Sequence, residues 1–143
     1  MLKYYLWEKN KMKEKYTNEQ LIDLALKAKQ NSYSPYSNFA VGAVVVADSG
    51  NVYMGTNVEN ASFPAGCCAE RSAIYSAISN GEKKLNKIVI VADGKDFVYP
   101  CGVCRQVILE HIKNGKIVCA KNSTEYEEYT IDNLLPKSFT LKK

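Results

Sequence analysis

The sequence predicts an α/β protein built on a mixed five-stranded sheet with helices on both faces. Three observations carry that expectation. Apolar, β-branched segments alternate with segments of helical period, the first two strand-like segments are joined by a tight turn, and Gly, Asn and Pro mark most of the junctions. The chain has 143 residues, enough for one hydrophobic core and too few for two comfortable ones. The expected organisation is a basic N-terminal arm over residues 1–15 and a single domain over residues 16–143.

The arm is rich in lysine without a convincing apolar stripe, and no chemistry is assigned to it. Thr17-Asn18-Glu19-Gln20 is a capping-box pattern, and Leu21, Leu24, Ala25 and Ala28 recur at helical spacing, so a helix is predicted to about Lys29. The turn-prone stretch from Asn31 to Asn38, with Pro35 inside it, ends that helix. Residues 40–47 read as a buried strand, Asp48-Ser49-Gly50-Asn51 as a turn, and residues 52–56 as the returning strand of a hairpin.

A loop containing Pro64 and Gly66 leads to a predicted helix over residues 68–79, closed by Asn80-Gly81. Residues 87–92 form the third predicted strand and residues 102–113 the next helix, stopped by Asn114-Gly115. Residues 116–120 and 126–129 complete the strands, and a short helix over 131–135 stops at Pro136. This alternation after a hairpin implies parallel crossovers in a mixed sheet.

Composition excludes several classes. Hydrophobic residues make up 46% and charged residues 24%, which fits neither a disordered chain nor a membrane protein. The longest apolar run, residues 39–47, falls far short of the roughly 20 residues that span a bilayer. No secretory leader can be drawn over Met1 to Trp7, so a cytoplasmic location is expected. Five cysteines, an odd number, fit metal ligands or buried thiols better than a disulfide framework. The net charge of +4 sits largely at the ends, in Lys3, Lys9, Lys11, Lys13 and Lys15 and in Lys137, Lys142 and Lys143, so direct nucleic-acid binding is not expected.

The chemistry concentrates in Cys68-Ala69-Glu70-Arg71 and Pro100-Cys101-Gly102-Val103-Cys104. Two cysteines separated by two residues can grip one metal ion from a single turn. Thiolates from Cys68, Cys101 and Cys104 would leave a fourth zinc position open to water, with Glu70 placed to move protons. Both cysteine groups fall at predicted helix starts, whose partial positive charge offsets the negative charge of three thiolates. Arg71 lies three residues beyond Cys68 on the same helix face and can donate to its sulfur. Spacing alone leaves a second arrangement open, a structural zinc clamp whose fourth ligand is Cys67, Cys119 or His111. Only Cys68, not Cys67, gives the Cys-x-Glu spacing.

Together these motifs resemble the signature of the zinc nucleoside deaminases, specifically the small homotetrameric cytidine deaminases. The resemblance runs from about residue 17 to residue 139 and includes Ser34-Pro35-Tyr36-Ser37-Asn38-Phe39 and Asn57-Val58-Glu59-Asn60-Ala61. It implies hydrolytic deamination of cytidine and 2′-deoxycytidine to uridine and 2′-deoxyuridine, with zinc held by Cys68, Cys101 and Cys104. Glu70 would shuttle protons between the zinc-activated water, the pyrimidine N3 and the departing ammonia. Asn57 and Glu59 would hold the ribose 3′-hydroxyl, the Ala69 backbone the base carbonyl, and Phe39 would line the pocket. Phe139 would reach a neighbouring subunit's site in a homotetramer with shared active sites, a role within pyrimidine salvage. Phe63 stands where the family often has Tyr.

Overall fold

The computed structural model describes residues 15–143; the arm expected over residues 1–15 lies, apart from Lys15, outside the described residues. The elements run α1 (Asn18–Lys29), β1 (Val41–Ala47), β2 (Val52–Thr56), a 3-10 turn (Phe63–Ala65), α2 (Ala69–Ser79), β3 (Leu85–Ala92), α3 (Gly102–His111), β4 (Lys116–Ala120), β5 (Tyr126–Tyr129) and α4 (Ile131–Leu134). The strands form one sheet in the order β2-β1-β3-β4-β5. Only β3 and β4 pair in parallel, and α3 makes the crossover between them. The neighbouring pairs β1–β2, β1–β3 and β4–β5 are antiparallel.

All seven residues of β1 are buried, as a central strand covered on both faces requires. Its alternate side chains feed two separate cores. Val44 and Val46 join Val89, Val91, Val118 and Ala120 beneath Leu21, Ile22 and Ala25 of α1. Ala43 and Val45 join Ile88, Ile90 and Ile117 against Ala73 and Ile74 of α2 and Ile108 of α3. Each fully buried Val or Ile stabilises the fold by about 1.5–3 kcal/mol. The sheet therefore carries α1 on one face and the remaining helices on the other.

The expected capping box is present in full, with Thr17 Oγ1 accepting from the Gln20 amide and Gln20 Oε1 accepting from the Thr17 amide. Such a cap contributes about 1 kcal/mol. Two boundaries differ from the expectation by two residues. β3 begins at Leu85 rather than Lys87 because a bulge at Val46/Ala47 lets Ala47 pair with Leu85. α3 ends at His111 rather than at residue 113, where Ile112 leaves helical geometry (φ −126°, ψ 38°) and Gly115 turns back onto the Ile112 carbonyl. Among the described residues, no helix is long and apolar enough to cross a membrane.

Candidate active site

Local backbone geometry puts the thiols where a metal needs them. Cys68 and Cys101 occupy the N-cap positions of α2 and α3, both extended (φ −71°, ψ 155° and φ −66°, ψ 168°), yet neither side chain caps its own helix. Their sulfurs turn toward each other instead and lie 3.9 Å apart. Cys104, one turn into α3 and fully buried, completes a group whose Sγ atoms all lie within 4.8 Å of one another.

Zinc–thiolate bonds of about 2.3 Å in a tetrahedron require sulfurs separated by about 3.8 Å, so the observed edge fits zinc closely. The group contains no fourth ligand among the described residues. Cys119 is buried within β4, His111 sits at the end of α3, and Cys67 is not a member of the group. Among the described residues, none of the three side chains that a structural clamp would use as its fourth ligand joins the group.

The site's electrostatics follow from burial and from one cation. The neighbouring Cys104 thiol holds Cys68 down at about 5, assisted by the Arg71 guanidinium, whose Nη2 donates to Cys68 Sγ across 3.5 Å. The neighbouring Cys68, together with burial, pushes the Cys104 thiol up. Arg71 is held more firmly protonated by its bond to Cys68, and its Nε is buried with no partner among the described groups. Glu70, only 4% exposed, is the one buried charged residue described, and burial raises its carboxyl above the usual range. Its Oε2 accepts from the Cys104 thiol across 3.4 Å.

α2 can bring Glu70 this close because β2 carries Gly55. A methyl group there would stand 2.3 Å from the Ala73 amide nitrogen and 2.5 Å from the Ala69 carbonyl oxygen. The helix rests directly on the strand backbone.

A cavity of about 480 Å³ has Tyr36, Asn57, Glu59, Phe63, Cys68 and Arg71 among its lining residues, while Glu70, Cys101 and Cys104 lie outside its lining. That volume suits a small molecule. A larger cavity of about 580 Å³, bordered by Lys83, Lys84, Lys87 and Lys113, contains neither the thiols nor Glu70. At the rim of the smaller one, Tyr36 and Phe63 meet edge to face with centroids 6.2 Å apart.

Asn57 and Glu59 are engaged within the chain. Asn57 Oδ1 accepts from the Val41 amide (2.9 Å) and the Ser32 hydroxyl (2.5 Å), and its Nδ2 donates to the Phe39 carbonyl (2.8 Å). Glu59 accepts from the Tyr36 and Ser37 amides (3.0 and 3.1 Å) and the Ser37 hydroxyl (2.5 Å), and the Ser37 bonds hold its carboxyl below the usual range. Phe39, Ala69 and Phe139 are not among the lining residues; Phe39 is 42% exposed, Ala69 buried and Phe139 68% exposed. Ser32 escaped sequence reasoning, and Tyr36 and Ser37 were read only as part of the 34–39 motif, not as partners of Glu59. Their signal was the turn-prone 31–38 stretch, whose backbone amides require an acceptor.

Three grouped thiols beside one buried carboxylate, with Cys68 lining a cavity of small-molecule size, define a zinc-dependent deaminase. Residues 15–121 match the model of the cytidine and deoxycytidylate deaminase zinc-binding region. The chain belongs to the cytidine and deoxycytidylate deaminase family. It is 41% identical to the cytidine deaminase of Sporosarcina psychrophila over 85% of this chain and 90% of that one. It is also 41% identical to the cytidine deaminase of Halalkalibacterium halodurans, over 85% and 93% of the two chains. The crystal structure of cytidine deaminase from Burkholderia pseudomallei superposes with a TM-score of 0.82 at 38% identity, covering 87% of this chain and all of that one.

Proposed function

We propose that residues 16–143 form one domain that deaminates free cytidine and 2′-deoxycytidine. Water replaces the amino group at C4, giving uridine or 2′-deoxyuridine and ammonia. The observation that carries this reading is the position of Glu70, buried against Cys104 within a thiol group whose Cys68 lines a cavity of small-molecule size.

Cys68, Cys101 and Cys104 would hold the zinc, which when bound supplies the Lewis acidity that activates water. Glu70 takes a proton from the attacking water and delivers it to N3 of the pyrimidine, which makes C4 more electrophilic. It then takes the remaining proton from the new C4 hydroxyl and passes it to the amino group, so that the C4–N bond breaks, ammonia rather than amide ion departs and the C4 carbonyl forms. The raised carboxyl of Glu70 suits a group that must hold a proton between these steps. Arg71 balances the thiolate charge from one side of the cluster.

Asn57 and Glu59 contact the ribose by exchanging part of their present hydrogen bonding, Phe39 packs on the nucleoside, and the Ala69 amide meets the base carbonyl. Phe139 enters the pocket of a neighbouring subunit in a homotetramer. Supporting that assembly, Phe63 (78%), Phe139 (68%), Val103 (59%) and Tyr36 (54%) are exposed apolar groups that another subunit would cover. The enzyme works in the cytoplasm, where reducing conditions keep its five free cysteines as thiols.

The test is ammonia and uridine release from zinc-loaded protein given cytidine, 2′-deoxycytidine or single-stranded DNA. Release from both nucleosides and none from DNA is expected. Folded, zinc-containing protein that releases no ammonia from either nucleoside would overturn the reading.

A further inference from the structure

Two successive residues of α3 connect the metal loop to the C-terminal strap. Arg105 donates from Nε to the Pro100 carbonyl (2.7 Å) and from Nη1 to the Leu134 carbonyl (2.6 Å). Pro100 immediately precedes the ligand Cys101, and Leu134 is the last residue of α4, so one planar guanidinium spans the metal loop and the helix from which the strap departs. Gln106 donates from Nε2 to the Phe139 carbonyl (2.9 Å).

The intervening strap has little regular structure of its own. It contains Pro136, which lacks an N–H, and Lys137 in the left-handed region (φ 55°). Phe139 remains 68% exposed although its backbone is held. A side chain presented outward on a tethered backbone is arranged for a contact beyond its own subunit.

We propose that Arg105 and Gln106 are positioning residues, Arg105 fixing the Cys101 loop against α4 and Gln106 presenting Phe139 to the neighbouring subunit's nucleoside pocket. The second role rests on the reading that Phe139 completes that pocket. Neither residue touches the reacting atoms. The same helix turn thus serves its own subunit's metal site and the neighbour's substrate site.

The test uses the zinc-loaded assembled enzyme and three variants, Q106L, F139A and the double variant. Leucine keeps much of the glutamine's bulk and removes its donors. Q106L is expected to raise the KM for cytidine about tenfold with kcat and zinc content little changed, and the double variant to be no worse than F139A alone. A purely structural glutamine would lower thermal stability without this split. If F139A raises KM and Q106L does not, or if their effects multiply, Gln106 does not act through Phe139 and the proposal falls. If F139A itself leaves KM unchanged, the shared-pocket reading fails first and the role of Gln106 with it.

Arg105 is tested separately by the rate at which a chelator strips zinc. R105M is expected to lose metal about tenfold faster than wild type, a difference Q106L does not share. R105K, with a single ammonium in place of the fork, reports an intermediate rate should R105M fail to fold. Wild-type rates in the folded variants remove Arg105 from this role.

Discussion

The Glu70 carboxylate and the Cys104 sulfur meet at 3.4 Å inside the protein, although they come from different helices. This contact places a carboxylate beside the three grouped thiols without making it a member of the group. Glu70→Gln keeps the shape and removes the capacity to carry a proton. Zinc content and melting temperature are expected to stay near wild type while turnover of cytidine falls by about 10²–10⁴-fold. Steady-state kinetics beside a metal assay checks this, and normal turnover would sink the proton-shuttle role.

Cys104 is the fully buried member of the thiol group. Cys104→Ala is expected to abolish stoichiometric zinc binding and to lower the melting temperature, because two remaining thiolates hold the ion poorly and bound metal contributes to folding. Elemental analysis of the purified variant decides the point. Full zinc occupancy would remove Cys104 from the ligand set.

Gly55 bears no functional group, yet its replacement is expected to impair the enzyme. Gly55→Ala forces a methyl against the Ala73 nitrogen and the Ala69 carbonyl, so α2 must lift from β2. Overpacking of this kind costs about 1–3 kcal/mol, and the displaced helix carries Glu70 with it. Urea unfolding should show the stability loss and kinetics a reduced kcat. A variant of wild-type stability would mean that the helix shifts freely.

Acid should weaken the junction between α1 and the start of β1. Asp93 lies 2.9 Å from Lys29 Nζ and accepts from the Ala40 amide; the bond to Lys29, then that from Ala40, holds its carboxyl below the usual 3.8. The folded state thus favours the ionised form. Its contribution is fully present above the unfolded value and is lost as the pH falls through the folded one. Because the pair is partly exposed, Asp93→Asn is expected to cost less than about 1 kcal/mol near neutrality, a difference that disappears in acid. Urea titrations of both proteins at neutral and strongly acidic pH measure it. A difference that grows in acid would contradict the assignment.

Much of this architecture was legible because short-range chemistry wrote it. Thr17 and Gln20 announce their capping box, the β-branched run of β1 announces a strand buried on both faces, and the Cys-x-Glu and Cys-x-x-Cys spacings announce the thiol cluster. Features governed by contacts distant in sequence were less visible. The early start of β3 depends on a bulge in β1, and the close seating of α2 depends on Gly55, which the sequence alone leaves indistinguishable from any strand glycine. Taken alone, Asn57 reads as a strand-ending turn residue, and as a sugar ligand only through the resemblance. The fold shows it tying Ser32, Phe39 and Val41 together, so its local bonding must be weighed beside any role toward a substrate.

Gly55 has a counterpart on the other side of the sheet. A methyl group on Gly42 would stand 1.9 Å from the Ala25 carbonyl oxygen of α1, and Gly42 adjoins Ala43, the residue paired with Gly55. The molecule is therefore pinched from both sides at one corner, where two helices are separated by little more than bare backbone. A single added carbon at either position changes the thickness of the mould in which the site is cast.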